Sequence, residues 1–311
     1  MAMLIVTLVA SFAGAAAWQQ WRAVEVEAAE RSRLQAGWIL VGALDWARLI
    51  LREDVRSGGA DHLAEPWAVP LQESRLSSFL AADKNNTALS EQEADAELFL
   101  SGQIVDMQSR LNVNNLVNNG NNSEPDIRSF AKLFELLDLD QIELMRMVEN
   151  LRAALDNNPD SPSAQLAPLL PQRVEQLGWL GLSPSSLARL RPFITMLPSR
   201  TPVNLNTAPT EVLYASFPTL ELDGARRLVA QRERQHFRSP SEAAQVVPSL
   251  ATELNTGHGI VSKFFEVRGR LRLQDTMVQE RSLVQRNGLD VRTVWRERTT
   301  LGKFDAQASL Q

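Results

Sequence analysis

The chain has 311 residues, 32 Lys+Arg against 37 Asp+Glu for a formal net charge of −5, 44% hydrophobic and 22% charged residues, and no Cys. That much apolar material supports one large or two modest cores and excludes a collagen, a coiled-coil rod or wholesale disorder. The absence of Cys removes disulfides, thiolate zinc sites and thiol catalysis. The acidic balance argues against a nucleic-acid partner, because phosphate binding relies on clustered Lys and Arg. His62, His236 and His258, the three histidines, lie far apart in sequence. With no nucleotide loop, Gly-x-Ser-x-Gly or His-Glu-x-x-His motif, no enzyme class is supported and no catalytic residue is assigned.

From Met1 to Trp21 there is no charged side chain, and Arg22 is the first. About 20 apolar residues in a helix cover the roughly 30 Å hydrocarbon core of a bilayer. Trp18 and Trp21 close the run, where indoles favour the membrane interface. A cleaved signal peptide would place basic residues before the apolar run, which here begins at residue 1. The sequence continues in helical register: Leu34, Trp38, Val41, Leu44 and Leu51 predict an amphipathic stripe, and Gly58-Gly59 predicts its end. A single helix of more than fifty residues is expected, lipid-soluble over 1–21 and amphipathic over 22–57.

Residues 61–82 read as an irregular connection interrupted by Pro66 and Pro70, and 83–95 as a polar loop. Alternation over 97–116 predicts a strand or hairpin with a bulge at Gly102. Asp106 and Arg110 could pair across that hairpin. The asparagines from Asn112 to Asn122 read as turn formers in contact with water. From Asp126 to about Leu197 the pattern is helical, with stripes Phe130-Leu133-Phe134-Leu137 and Ile142-Met145-Val148-Leu151-Leu155. Strands return over 264–273, 277–285 and 289–298, with Asn287-Gly288 as a hairpin turn.

A helical block flanked by strands predicts a subdomain inserted into one α+β domain: 58–117 and 261–299 form the α+β part, 118–260 the insert, and 300–311 a tail. Within the insert, 203–250 is similar to a helix-hairpin-helix unit. Its hairpin carries Glu221 and Asp223 where phosphate would sit, so it reads as a scaffold.

A lipid-soluble long helix feeding a small sheet resembles type IV pilins and the pseudopilins of type II secretion. Three segments narrow the resemblance to the K-type minor pseudopilins. Asp61 to Pro70 resembles an Asp-x-Leu-x-Glu-x-Trp-Ala segment through Asp61, Glu65 and Trp67. Gly102, Ile104, Asp106 and Arg110 to Leu116, including Asn112 and Asn114, resemble a Gly-x-Ile-x-Asp…Arg-Phe-Asn-Leu-Asn-Asn-Leu stretch. Asn204, Asn206 and Thr207 match an Asn-x-Asn-Thr-Ala motif.

The resemblance implies a pilin-like α+β fold, a long N-terminal helix packed on a small antiparallel sheet, with a large inserted all-α subdomain. It implies a non-enzymatic subunit at the tip of a pseudopilus, which starts or caps the fibre with I- and J-type minor pseudopilins. The expected location is the inner membrane, single-pass, with the globular part in the periplasm. Prepilin peptidase would act during maturation, leaving Met1 as methylated mature residue one, and secreted exoproteins would be further contacts. Pilins commonly carry Glu at the fifth mature position to neutralise a neighbour's buried amine, whereas this chain has Ile5. A subunit with nothing above it has no use for that carboxylate.

The family also implies calcium in the inserted subdomain. Here the corresponding loop is shortened, leaving Asp156 and Asp160 as candidate ligands. A membrane-anchored DNA-uptake protein built on 203–250, or a type IV pilus tip protein, are the alternatives.

Overall fold

The computed structural model describes residues 2–76, 98–156, 167–254, 257–273 and 276–301. Met1, Asp160, the 83–95 loop and residues 302–311 lie outside them.

Helix α1 spans Ala2–Ser57 without interruption. It ends where Gly58 (φ 69°) and Gly59 (φ 123°) take a left-handed backbone that a side chain would strain. The buried stripe differs from the one expected. Ala36, Gly37, Leu40, Leu44, Ala47 and Leu51 face the domain, while Leu34 (66% exposed) and Trp38 (75%) point to solvent. Small residues win that face because the helix lies close on the sheet: a Cβ on Gly269 would stand 3.1 Å from Leu40 Cδ2.

The chain then forms β1 (Leu71–Arg75) and β2 (Leu98–Asp106). The connection at 61–82 is therefore not wholly irregular: Pro66 starts a one-turn 3-10 helix, and a strand follows. The inserted block contains β3 (Leu111–Asn112), β4 (Val117–Asn118), β5 (Asn121–Asn122), α2 (Glu124–Leu136), α3 (Gln141–Ala154), α4 (Pro184–Leu190), β6 (Ile194–Thr195), β7 (Val203–Asn204), α5 (Thr210–Ser216), α6 (Leu222–Arg234), α7 (Pro240–Val246) and β8 (His258–Gly259). It is mainly helical rather than all-α, because β3 pairs with β6, β4 with β5, and β7 with β8. The chain closes with β9 (Phe264–Leu273), β10 (Thr276–Asn287) and β11 (Asp290–Leu301), so the expected tail begins after the last strand.

The five-stranded sheet has the order β1-β2-β9-β10-β11, with every pair antiparallel. Strands β2 and β9 are neighbours although the inserted block separates them in sequence. Gly102 is no bulge in β2: it sits opposite Gly269 in unbroken register, and the irregularity lies across from it in β1, between Leu71 and Ser74. The β10–β11 loop is one residue later than expected. Asn287 pairs with Asp290, leaving Gly288-Leu289 as the two-residue turn, with Gly288 at φ 57°.

The α1-facing side of the sheet carries two cores stacked along the helix. Ala36 and Leu40 pack on Leu100, Leu271 and Val278 nearer the apolar end. Leu44, Ala47 and Leu51 pack on Trp67, Phe265, Val267, Val284 and Val291 beyond them. The largest core belongs to the inserted block and runs from Leu111 to Leu250. There Phe130, Leu133 and Phe134 are buried as expected. In α3 the buried face is Leu144, Met147, Val148 and Leu151, leaving Ile142 and Met145 exposed.

Candidate functional site

Two features carry function here: a membrane-length helix end, and a buried polar joint where the inserted block leaves the sheet.

In α1 every residue from Ala2 to Arg31 is exposed, including Ile5, Trp18 and Trp21, and the apolar window has no buried share. By length and composition it can cross a bilayer. The Arg22 guanidinium lies 5.7 Å from the Trp18 ring, so the first charge folds back over an interfacial indole.

The joint is built from segments that the sequence keeps far apart. Chain leaves the sheet after Asp106 and returns at Ser262, since Asp106 pairs with Phe265 at the end of the β2–β9 ladder. Asp106 is fully buried and accepts four hydrogen bonds. Gln108 N donates at 2.7 Å, Thr207 Oγ1 at 2.6 Å, Ser262 Oγ at 2.6 Å and Asn204 Nδ2 at 3.0 Å. Burial pushes its carboxyl up to about 6, opposed by the donors from Ser262, Thr207 and Gln108. At neutral pH it is ionised and clamps the Asn204–Thr207 segment against the sheet.

Asp61 sits beside it. Its carboxylate takes Ser262 N at 2.6 Å and the Arg286 guanidinium, while its carbonyl accepts from Asn204 Nδ2 at 3.2 Å. Arg286 also reaches Asp54 at 2.6 Å and lies 4.7 Å over the Phe265 ring. Burial raises the Asp54 and Asp61 carboxyls; in both Arg286 pulls the other way. Glu65 Oε2 accepts from His62 N at 2.9 Å and from Trp67 Nε1 at 2.7 Å, and buried Trp67 meets Phe265 edge-on.

A second lock holds the start of the block. Asn112 is buried: its Nδ2 donates to Ser199 O (2.8 Å) and Thr201 Oγ1 (3.2 Å), and its Oδ1 accepts from Leu197 N (3.1 Å) and Asn114 N (3.2 Å). Asn114 Nδ2 donates to Leu197 O. Asn206 clamps Phe237 through both its backbone N and O. These asparagines are therefore structural cross-ties, not solvated turn formers; only Asn119 (φ 50°) and its neighbours at the β4–β5 turn keep that role.

Asp61, Asp106, Asn204 and Thr207 converge at the joint, while Glu65 and Trp67 brace it. Gly102 belongs to the sheet: a Cβ there would stand 3.0 Å from the Arg268 carbonyl. Arg110 does not pair with Asp106; it lies among Glu266, Arg268, Arg281 and Arg191 on the other side. Sequence reasoning missed Arg286, Ser262, Gln108 and Asp54. Strand parity could have found Arg286, because Val278 and Val284 face the core and Arg286 follows at the same alternation.

Among the described residues, Asp54, Asp61 and Glu65 are the acids close enough to hold one cation together. The Arg286 guanidinium already supplies the positive charge there, so this cluster does not fit a divalent ion. Asp156 follows the end of α3, and Asp160, the other candidate calcium ligand, lies outside the described residues.

In the helix-hairpin-helix-like unit, the loop before α6 is turned onto α2. Lys132 Nζ donates to the carbonyls of Phe217 (2.8 Å), Pro218 (3.3 Å) and Leu220 (2.9 Å). Arg232 points inward to the Leu205 and Ala208 carbonyls, and Arg226 pairs with Asp223. The hairpin thus packs within the block.

The comparisons map onto this architecture. The family described as type II secretion system protein K matches residues 109–199 and again residues 203–260, the two halves of the inserted block. Over these residues the chain is similar to the protein K family of type II secretion systems. Type II secretion system protein K of Pseudomonas aeruginosa is 26% identical over 295 residues, 88% of this chain and 83% of its own length. Among solved structures, a chain of the GspK-GspI-GspJ complex from enterotoxigenic Escherichia coli matches with a TM-score of 0.67 and 18% identity, over 87% of this chain and 98% of that one. That likeness establishes the pilin-like fold with its inserted block. These likenesses support a minor pseudopilin of type II secretion, and the apolar helix is compatible with a single membrane anchor.

Proposed function

We propose that this pseudopilin sits at the tip of the pseudopilus, anchored in the inner membrane by residues 1–21 with its globular part in the periplasm, and caps the fibre. The observation that carries the reading is where the inserted block leaves the sheet. Helix α1 runs from the apolar end past Ala36 and Leu40 to Leu51, and the joint at Asp106 and Phe265 is level with Leu51. The block therefore crowns the end away from the lipid, where a further subunit would have to add.

Partners are proposed to be I- and J-type minor pseudopilins, by analogy with the solved complex. Leu34 and Trp38, one helical turn apart and exposed among the described residues, supply apolar surface for neighbouring helices.

The test uses the β2–β9 register. Because Asp106 pairs with Phe265, replacing residues 107–264 with a two-residue turn leaves a continuous hairpin. Full-length chain should co-purify in detergent with its I- and J-type partners and support secretion with short fibres. The headless variant should still enter the membrane yet release control of fibre length. Normal secretion and fibre length from the headless variant would exclude capping by the block.

A further inference from the structure

The face of the sheet turned away from α1 is strongly basic. Alternation along β9 places Arg268, Arg270 and Arg272 on that face, and Arg281 of β10 stands opposite Arg268. Together with the inserted block this face walls a cleft of about 830 Å³ lined by Arg110, Arg173, Arg191, Arg268 and Arg281. Such a concentration is not background in a chain of net charge −5.

Within the cleft the chain's own carboxylates already show what the arginines take. Glu175 accepts from Arg191 at 3.0 Å and Arg281 at 3.2 Å, and Glu297 meets Arg173 at 2.8 Å. At its floor buried Glu266 holds Arg268 and Arg281. The acids are then exhausted. Arg110, half-buried among these guanidinium groups, makes no hydrogen bond or ion pair among the described residues, and neither does Arg270. A cation held out of water without a partner is costly, and a fork of N–H donors is shaped for a carboxylate.

We propose that this cleft and the strand face beside it bind an acidic peptide segment of a partner protein, with Arg110 in the cleft and Arg270, one alternation beyond Arg268 on β9 and outside the cleft lining, each taking a carboxylate. Alternate residues of a strand lie about 7 Å apart on one face, so the row along β9 matches alternate acidic side chains of an extended segment better than one small anion. Lipid headgroups are out of reach. Gly269, beside Arg268, meets Leu40, which lies about 28 Å along α1 from Trp21, well beyond a Debye length. The site stands apart from the capping role, because it is a property of the isolated chain.

The experiment titrates fluorescein-labelled hexaglutamate into full chain in a neutral detergent and reads anisotropy. Binding should weaken by about tenfold between low and physiological salt. It should fall by about tenfold in Arg110→Met, which keeps the side-chain stem but loses the charge-assisted bonds. Arg270→Gln should weaken it similarly, and Arg227→Gln, on the exposed face of α6, should not. Arg110→Met is also expected to melt no lower than the parent, since it removes an uncompensated charge. If it fails to fold, Arg270→Gln carries the test. No binding of hexaglutamate, or binding indifferent to both substitutions, overturns the proposal. So does inorganic phosphate that binds in an Arg110-dependent way where the peptide does not, which would leave a small-anion site only.

Discussion

Arg286 Nη2 stands 2.5 and 2.6 Å from the two carboxylate oxygens of Asp61, with both side chains out of contact with water. The same guanidinium holds Asp54, so one cation on β10 ties the end of α1, the connection after it and the return from the inserted block. Removing one partner of a buried pair strands the other. Arg286→Met should destabilise the chain by about 3–5 kcal/mol. Chemical denaturation in detergent would measure it, and a loss below about 1 kcal/mol would mean the joint does not depend on this cation.

The asparagines divide into two classes with different expected costs. Asn112→Ala leaves the Leu197 N–H unpaired in the interior, worth about 1–3 kcal/mol. Hydrogen exchange over 195–201 should accelerate with it. Asn119→Gly, at a turn with positive φ, should change stability by less than about 0.5 kcal/mol. Equal effects from the two would contradict the cross-tie role.

Gly102 is required by close approach, not by backbone freedom. A Cβ would press on the Arg268 carbonyl, which the β-ladder holds in place. Gly102→Ala should cost about 1–3 kcal/mol, read as a lower Tm. Gly14→Ala in the apolar half of α1 has open space around it and should leave the globular part's Tm unchanged.

Stability should fall on acidification because of the histidines. His62 and His236 stack at 3.8 Å, and burial lowers both, as it does buried His258. Around the pair, Asp54, Asp61 and Glu242 favour protonation, while Arg238 and the paired ring oppose it. A depressed folded-state pKa means the unfolded chain binds more protons. The stabilisation is therefore complete above pH 6.5 and lost as pH falls below it. Asp106 has the opposite sign: raised from 3.8 to about 6, its contribution is present below pH 3.8 and lost as pH rises through 6. Tm measured between pH 7.5 and 5.5 should drop more in the parent than in His236→Gln. An identical slope in both would remove the histidine pair from the account.

Chelation should leave the fold intact. Arg286 supplies the charge at the acidic cluster, and the inserted block has its own closed core. EDTA should shift Tm by less than about 1 °C, because only a bound ligand's removal lowers stability. A fall of several degrees, restored by calcium, would place a required ion in the block.

What could be read from the residues follows from how local the signal is. The apolar opening, the Gly58-Gly59 stop and the alternation of β9 depend on a few adjacent positions, and all three hold in the structure. The α1 stripe was misplaced because Leu34 and Trp38 are as hydrophobic as the residues beneath the sheet. Only the closeness of Gly269 selects Ala36, Gly37 and Leu40 instead. Asn112 looked like turn chemistry, and Asn204 showed only as part of a motif, because their partners at Leu197, Asp106 and Asp61 lie 85 to 143 residues away. His62 and His236 show the same limit: separated in sequence, they stack face to face.

Helix α1 stays bare from the lipid run to Arg31, before the head begins at Ala36. At 1.5 Å per residue the whole rod is about 84 Å long, and membrane helices commonly lean by about 20°. Leaning the rod by that much about its foot would carry the far end sideways by about 30 Å. The head can therefore be carried sideways by a distance of that order while its own packing stays untouched, which turns a modest reorientation in the bilayer into a search over a broad area above it.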